Sequence, residues 1–226
     1  MTDTTVTWTQ PFSSALKGEK DLLSQLRERR NLPTVLWQSL VASLVGAVVF
    51  GIALGSYGGS PAQILASAIK VPLLLLGTSA LCFPSFHVLQ TAKAPEPMTL
   101  AQSAALQATA LSTIGAIWGA LSLPLFFLVS TTGQYLLAQF LALAVGGIGG
   151  LVGLLRLKRG YMQLCNPESG RRMRLPLLLY LLVFGSVGAQ MAWVLRPFIG
   201  SPSLGFELVR DLESNIFAHV LGLFGA

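Results

Sequence analysis

Lys70, in "AIKVPLLLL", and Arg196, in "QMAWVLRPFIGSP", are the two charges of this chain with the most chemical potential, because each sits in or at the end of an apolar run. A cation about 14 Å along a spanning helix, at 1.5 Å per residue from Pro61, costs about 2.5–3.5 kcal/mol to insert and is a functional candidate by default. Three readings of Lys70 stand: it snorkels toward the near interface, it pairs with a carbonyl or an acid, or it meets a substrate or ion. Pro72, two residues on, frees a backbone carbonyl that could accept from it. Arg196 is followed by a helix-breaking proline and a Gly/Pro turn, and Trp193 one turn earlier suits an interface belt. Glu207, Arg210, Asp211 and Glu213 then follow in a greasy carboxyl-terminal stretch. Glu207, Asp211 and Glu213 could reach Lys70 or Arg196 or, in an oligomer, ring a pore mouth and favour cations.

Other chemistry-bearing residues are sparse. Cys82 and Cys165 belong to no C-x-x-C pair, and two cysteines make no disulfide framework. His87 and His219 fall on opposite sides of the membrane in the topology below, so they do not share a metal. The sequence holds no H-E-x-x-H, no nucleophile elbow, no phosphate-binding glycine loop and no metal-ligand cluster. No cofactor is implied, and no enzyme constellation is recognisable. All nine acids lie outside the apolar runs, which argues against an intramembrane proton relay.

The elements that must position these residues are membrane helices. Of 226 residues, 53% are hydrophobic and only 11% charged, too few charges to coat a water-facing surface. Net charge is +6, but the bases sit in blocks between apolar runs rather than in an aromatic-interleaved stripe, so nucleic acid is not an expected partner. Five runs approach or exceed the roughly 20 apolar residues a span needs: residues 34–57, 61–83, 100–130, 134–157 and 175–195. The second ends where "CFPSF" introduces Pro84. The third is long and contains Pro124, so it is tilted, kinked or split; a split makes six spans.

Orientation follows from the short loops. Lys17, Lys20, Arg27, Arg29 and Arg30 precede the first span, Lys93 follows the second, and Arg156, Lys158, Arg159, Arg171, Arg172 and Arg174 surround the connection between the fourth and fifth. Twelve of the fifteen basic residues thus lie on one side. This alternation holds for five spans and fails for six. The fold expected is an all-α polytopic bundle of about five spans, amino terminus cytoplasmic and carboxyl terminus outside.

The flanks complete the organisation. Residues 1–33 form a cytoplasmic polar segment with Phe12, Leu16, Leu22, Leu23 and Leu26 among charges, either an amphipathic helix on the anionic leaflet or a solvated lead-in. The segment lacks the order of a secretory signal, and the first apolar run reads as a retained helix. Residues 34–195 are the bundle, and 196–226 an outer cap with a short final helix. Glycines recur four apart, most densely as Gly146, Gly149, Gly150 and Gly153 in "GGIGGLVG". Such spacing lets helix backbones approach, either within one protomer or between subunits. Gln102, Gln107, Thr109, Ser112 and Thr113 on the third span are expected to hydrogen-bond across helices.

"QMAWVLRPFIGSP" with "FELVRDLESNIF", and "AIKVPLLLL" with "CFPSF", are similar to a family of bacterial multi-spanning membrane proteins that share W-x-L-R-P-F-x-G-x-P after the last span. The resemblance implies a bacterial protein of five or so spans and no particular activity. The function expected is non-enzymatic, by assembly in the bacterial inner membrane as a homo-oligomer or as a subunit or scaffold of a membrane complex. Its partners are membrane lipids and protein subunits. The alternative is a small oligomeric ion or solute channel lined by spans two and three, and a lipid-active enzyme is third.

Overall fold

In the computed structural model, residues 19–93, 97–164 and 167–200 are described, and among them every regular element is a helix. A short amphipathic helix, α1 (Glu19–Arg27), precedes five long ones: α2 (Leu32–Gly55), α3 (Pro61–Lys93), α4 (Leu100–Thr132), α5 (Tyr135–Leu164) and α6 (Pro167–Leu195). All five are long and apolar enough to cross a membrane. In hydrocarbon a chain must satisfy its own backbone groups, and the helix does so within one segment.

The helix ends are written locally. Pro33 opens α2 behind Asn31, which is left-handed at φ 51°, and a proline in the first turn loses no intrahelical bond. A 3₁₀ turn (Ser56–Gly58) and Gly59 at φ 66° reverse the chain before Pro61. Thr99 and Gln102 form a reciprocal capping box at the start of α4, and Gly133 at φ 61° closes it. Tyr57 donates its hydroxyl to the Gly133 carbonyl, which fastens these two turns together at one end of the bundle.

One proline expectation is corrected. The second span does not stop at Phe83: α3 runs through both Pro72 and Pro84 to Lys93. Pro84 lies on the exposed face, whereas Cys82, Phe86 and Gln90 on the other side are buried, the last two completely. Packing on that buried face carries the helix past the proline, as membrane helices permit. Pro124, also exposed, leaves α4 unbroken from Leu100 to Thr132, which favours five spans over six.

The helices form an incomplete ring in which α6 packs on α3, α3 on α2, α2 on α4 and α4 on α5, while α5 and α6 barely touch. Small residues set the closest joints. A Cβ on Gly46 would fall on the Gly115 backbone, and one on Gly115 would fall on Ser43. Gly51 and Gly55 likewise lie against the backbone of α3 at Ser67 and Ile64. Such contacts supply the van der Waals packing that replaces a hydrophobic driving force in lipid. In the most apolar stretch of each helix, 39–44% of residues are buried for α2, α3 and α4, but only 17% for α5 and α6.

Candidate functional site

Gln63, Ser67 and Lys70 are spaced to share one face of α3, and all three are buried. They face the chain where it leaves α6. Lys70 Nζ donates to the Pro197 carbonyl at 3.0 Å. Ser67 Oγ donates to the Phe198 carbonyl at 2.5 Å, and Gln63 Nε2 reaches the same carbonyl at 3.2 Å and that of Pro197 at 3.3 Å. Residues 196–200 are not helical, so these side chains satisfy carbonyls that no helical ladder pairs. Of the three readings of Lys70, the structure displays pairing with a carbonyl, and the carbonyl belongs to another helix's exit rather than to the turn that Pro72 frees.

Arg196 stands beside this clasp and does not pair with Lys70's acceptors. Its guanidinium carbon lies 3.6 Å from the Trp193 ring centroid, a cation–π arrangement. Its Nε is buried and has no hydrogen-bond partner among the described residues. Glu207, Arg210, Asp211 and Glu213, like His219 and Cys165, lie outside the described residues.

Arg196 also forms part of the wall of a cavity of about 750 Å³ inside the open ring. The wall is overwhelmingly apolar, with contributions from Phe50 on α2, Leu75 on α3, Trp118 on α4, Leu151 on α5 and Phe184 on α6. Arg196 is its only charged residue among the described residues. Thr78, whose Oγ1 is also buried without a partner among the described residues, lines the far end. The lining residues Gln139, Leu143, Gly147, Leu151 and Gly185 are exposed, so the cavity opens sideways as a groove between α5 and α6.

The glycine ribbon of α5 divides across this groove. A Cβ on Gly149 would meet the Trp118 indole and one on Gly153 would meet Ile114, so these two glycines seat α5 on α4. Gly146 and Gly150 have nothing within 4 Å of such a Cβ and line the groove instead. The subunit-joining reading of the ribbon therefore applies, if anywhere, to Gly146 and Gly150.

The remaining polar residues mostly lock the bundle. Gln107 Nε2 donates to Ser79 Oγ and to the Ser79 carbonyl, while Tyr180 donates to Gln107 Oε1, joining α3, α4 and α6. Gln102 Nε2 donates to the Leu26 carbonyl of α1. Thr109, Ser112 and Thr113 instead return their hydroxyls to carbonyls of α4 itself, so they do not bridge helices as expected. His87 Nδ1 lies within hydrogen-bond reach of Ser103 Oγ and Gln90 Nε2, near the α3–α4 connection. No group of three or more His, Cys, Asp or Glu residues comes together among the described residues.

Sequence reasoning missed the partnership of Gln63 and Ser67 with Lys70, although their spacing was a usable signal. It also missed the groove, which no single segment encodes. A scan against protein-family models finds no match for this chain, and searches of the curated proteins and of the solved structures find none either.

Proposed function

We propose that this is a non-enzymatic protein of the bacterial inner membrane that works by association within the bilayer, as a homo-oligomer or as a subunit of a larger membrane complex. In this reading its amino terminus is cytoplasmic and its carboxyl terminus outside. The observation that carries it is the uneven wrapping of the ring: α5 and α6 bury 17% of their most apolar stretches against 39–44% for the other three. Two weakly joined helices with an open groove between them make a face suited to a further membrane component. Small residues along it, Gly147 and Gly185, are the kind that let another hydrocarbon surface approach.

The resemblance in "QMAWVLRPFIGSP" supports a bacterial origin, and the gathering of bases at the α1 end supports the orientation. Lys70 supports assembly over a channel lined by α3 and α4, because it is only 5% exposed and its ammonium is engaged by Pro197. The test is photo-crosslinking in native membranes from a benzophenone side chain at Leu143, on the α5–α6 face, or at Trp37 on α2. Protein adducts from position 143 and none from 37 are expected. The absence of protein adducts at 143, together with a monomeric mass and no co-purifying subunit in mild detergent, would sink the reading.

A further inference from the structure

We infer that the groove between α5 and α6 holds one acyl chain of an anionic phospholipid, with the phosphate at Arg196. Three observations carry this inference. First, the groove has the size of a ligand site, since its 750 Å³ falls within the roughly 300–1,000 Å³ that encloses a drug-sized molecule. Second, it is long enough for an extended acyl chain. It runs from Arg196 and Tyr135 at one end of the bundle to Thr78, Ile114 and Phe184, near the midpoints of their helices. At 1.5 Å per residue the lining spans about 18 Å on α6, from Phe184 to Arg196, and about 28 Å on α5, from Tyr135 to Leu154.

Third, the charge is complementary. Among the described residues a single cation stands where a headgroup would lie, no acid shares the groove wall, and the Arg196 Nε is buried without a hydrogen-bond partner. Arginine is matched to phosphate geometry and is weakly hydrated, which suits a partly enclosed headgroup site. The exposed Gln139 on the same wall, one turn into α5 from Tyr135, adds an amide near that end. Below it the wall is almost wholly hydrocarbon and aromatic, with Thr78 the polar exception at the far end.

This inference names one component of the association proposed above and rests on the α5–α6 face being that association surface. The two fail separately: losing lipid selectivity leaves any protein adducts from position 143 unchanged, and a monomer can still hold its lipid.

The experiment is native mass spectrometry of the full chain in mild detergent, with phosphatidylglycerol or phosphatidylcholine of identical acyl chains added. The wild-type protein is expected to retain one phosphatidylglycerol per chain at least ten-fold better than phosphatidylcholine. Arg196→Gln brings the two lipids to parity, and Arg196→Lys keeps part of the preference. Gly150→Leu combined with Gly185→Leu fills the groove and lowers retention of both lipids. Equal retention by the wild type would overturn the inference without reference to any variant. So would selectivity that survives the filled groove, or a photo-adduct from position 143 to a peptide of residues 201–226.

Discussion

Lys70 and Pro197 lie 127 residues apart, yet the ammonium of one donates to the carbonyl of the other at 3.0 Å. The bond converts a charge that is expensive to insert into the fastening of the last described turn. Ser67 and Gln63 hold the neighbouring carbonyl of Phe198 in the same way, so three side chains of α3 fix the position at which the chain leaves the bundle.

Replacing the ammonium with a methyl group of similar reach therefore releases that turn. Lys70→Met is expected to lower stability by about 1–2 kcal/mol, a charged hydrogen bond discounted for the modest values found in membrane helices. Lys70→Gln, which keeps a donor, recovers part of the loss. Unfolding titrations in mixed micelles measure both, and a Lys70→Met protein as stable as wild type would show that the clasp carries no energy.

A second prediction compares one chemical change at two glycines. Gly46→Ala places its methyl on the Gly115 backbone and is expected to cost about 1–3 kcal/mol, as overpacking does. Gly150→Ala meets nothing within 4 Å and gains helix propensity, so it is neutral or stabilising. Thermal denaturation of the two variants reads the difference. Equal effects would mean that α2 and α4 are not in the contact described.

The third concerns Gln102, whose two side-chain atoms do different jobs. Oε1 accepts from the Thr99 backbone N–H, and Nε2 donates to the Leu26 carbonyl. Gln102→Glu keeps the acceptor and removes the donor. Hydrogen exchange across α1 is expected to accelerate at least ten-fold while the first turn of α4 stays protected. Thr99→Ala has the reverse pattern, loosening α4 by about 1 kcal/mol and sparing α1. Matching exchange patterns in the two variants would contradict this division of labour.

The bundle was largely legible in the sequence because hydrocarbon imposes one simple demand, a long apolar helix, and the five spans were recovered on that basis. Pro84 misled because proline was read as a local stop, whereas the buried faces of Phe86 and Gln90 carry α3 past it. Lys70 was recognisable as special from its type and depth alone. Its acceptor was not, because that depends on which helix exits beside α3. The glycine ribbon shows the same boundary: spacing marked all four residues, but only the neighbouring helix separates Gly149 and Gly153, where a Cβ would meet α4 side chains, from Gly146 and Gly150, where it would meet nothing.

The Gly46–Gly115 joint also bears on how the protein is made. Gly115 leaves the ribosome about 70 residues after Gly46, a delay of roughly 3–14 s at 5–20 residues per second. During that interval α2 has only α3 beside it, and the face that will meet α4, with Ser43 fully buried in the finished protein, waits against lipid or the insertion machinery. The bundle's tightest joint thus links non-consecutive helices, so it cannot form until α4 has been synthesised. Synonymous codon changes that slow the stretch between α3 and α4 would prolong the vulnerable stage without altering a single side chain.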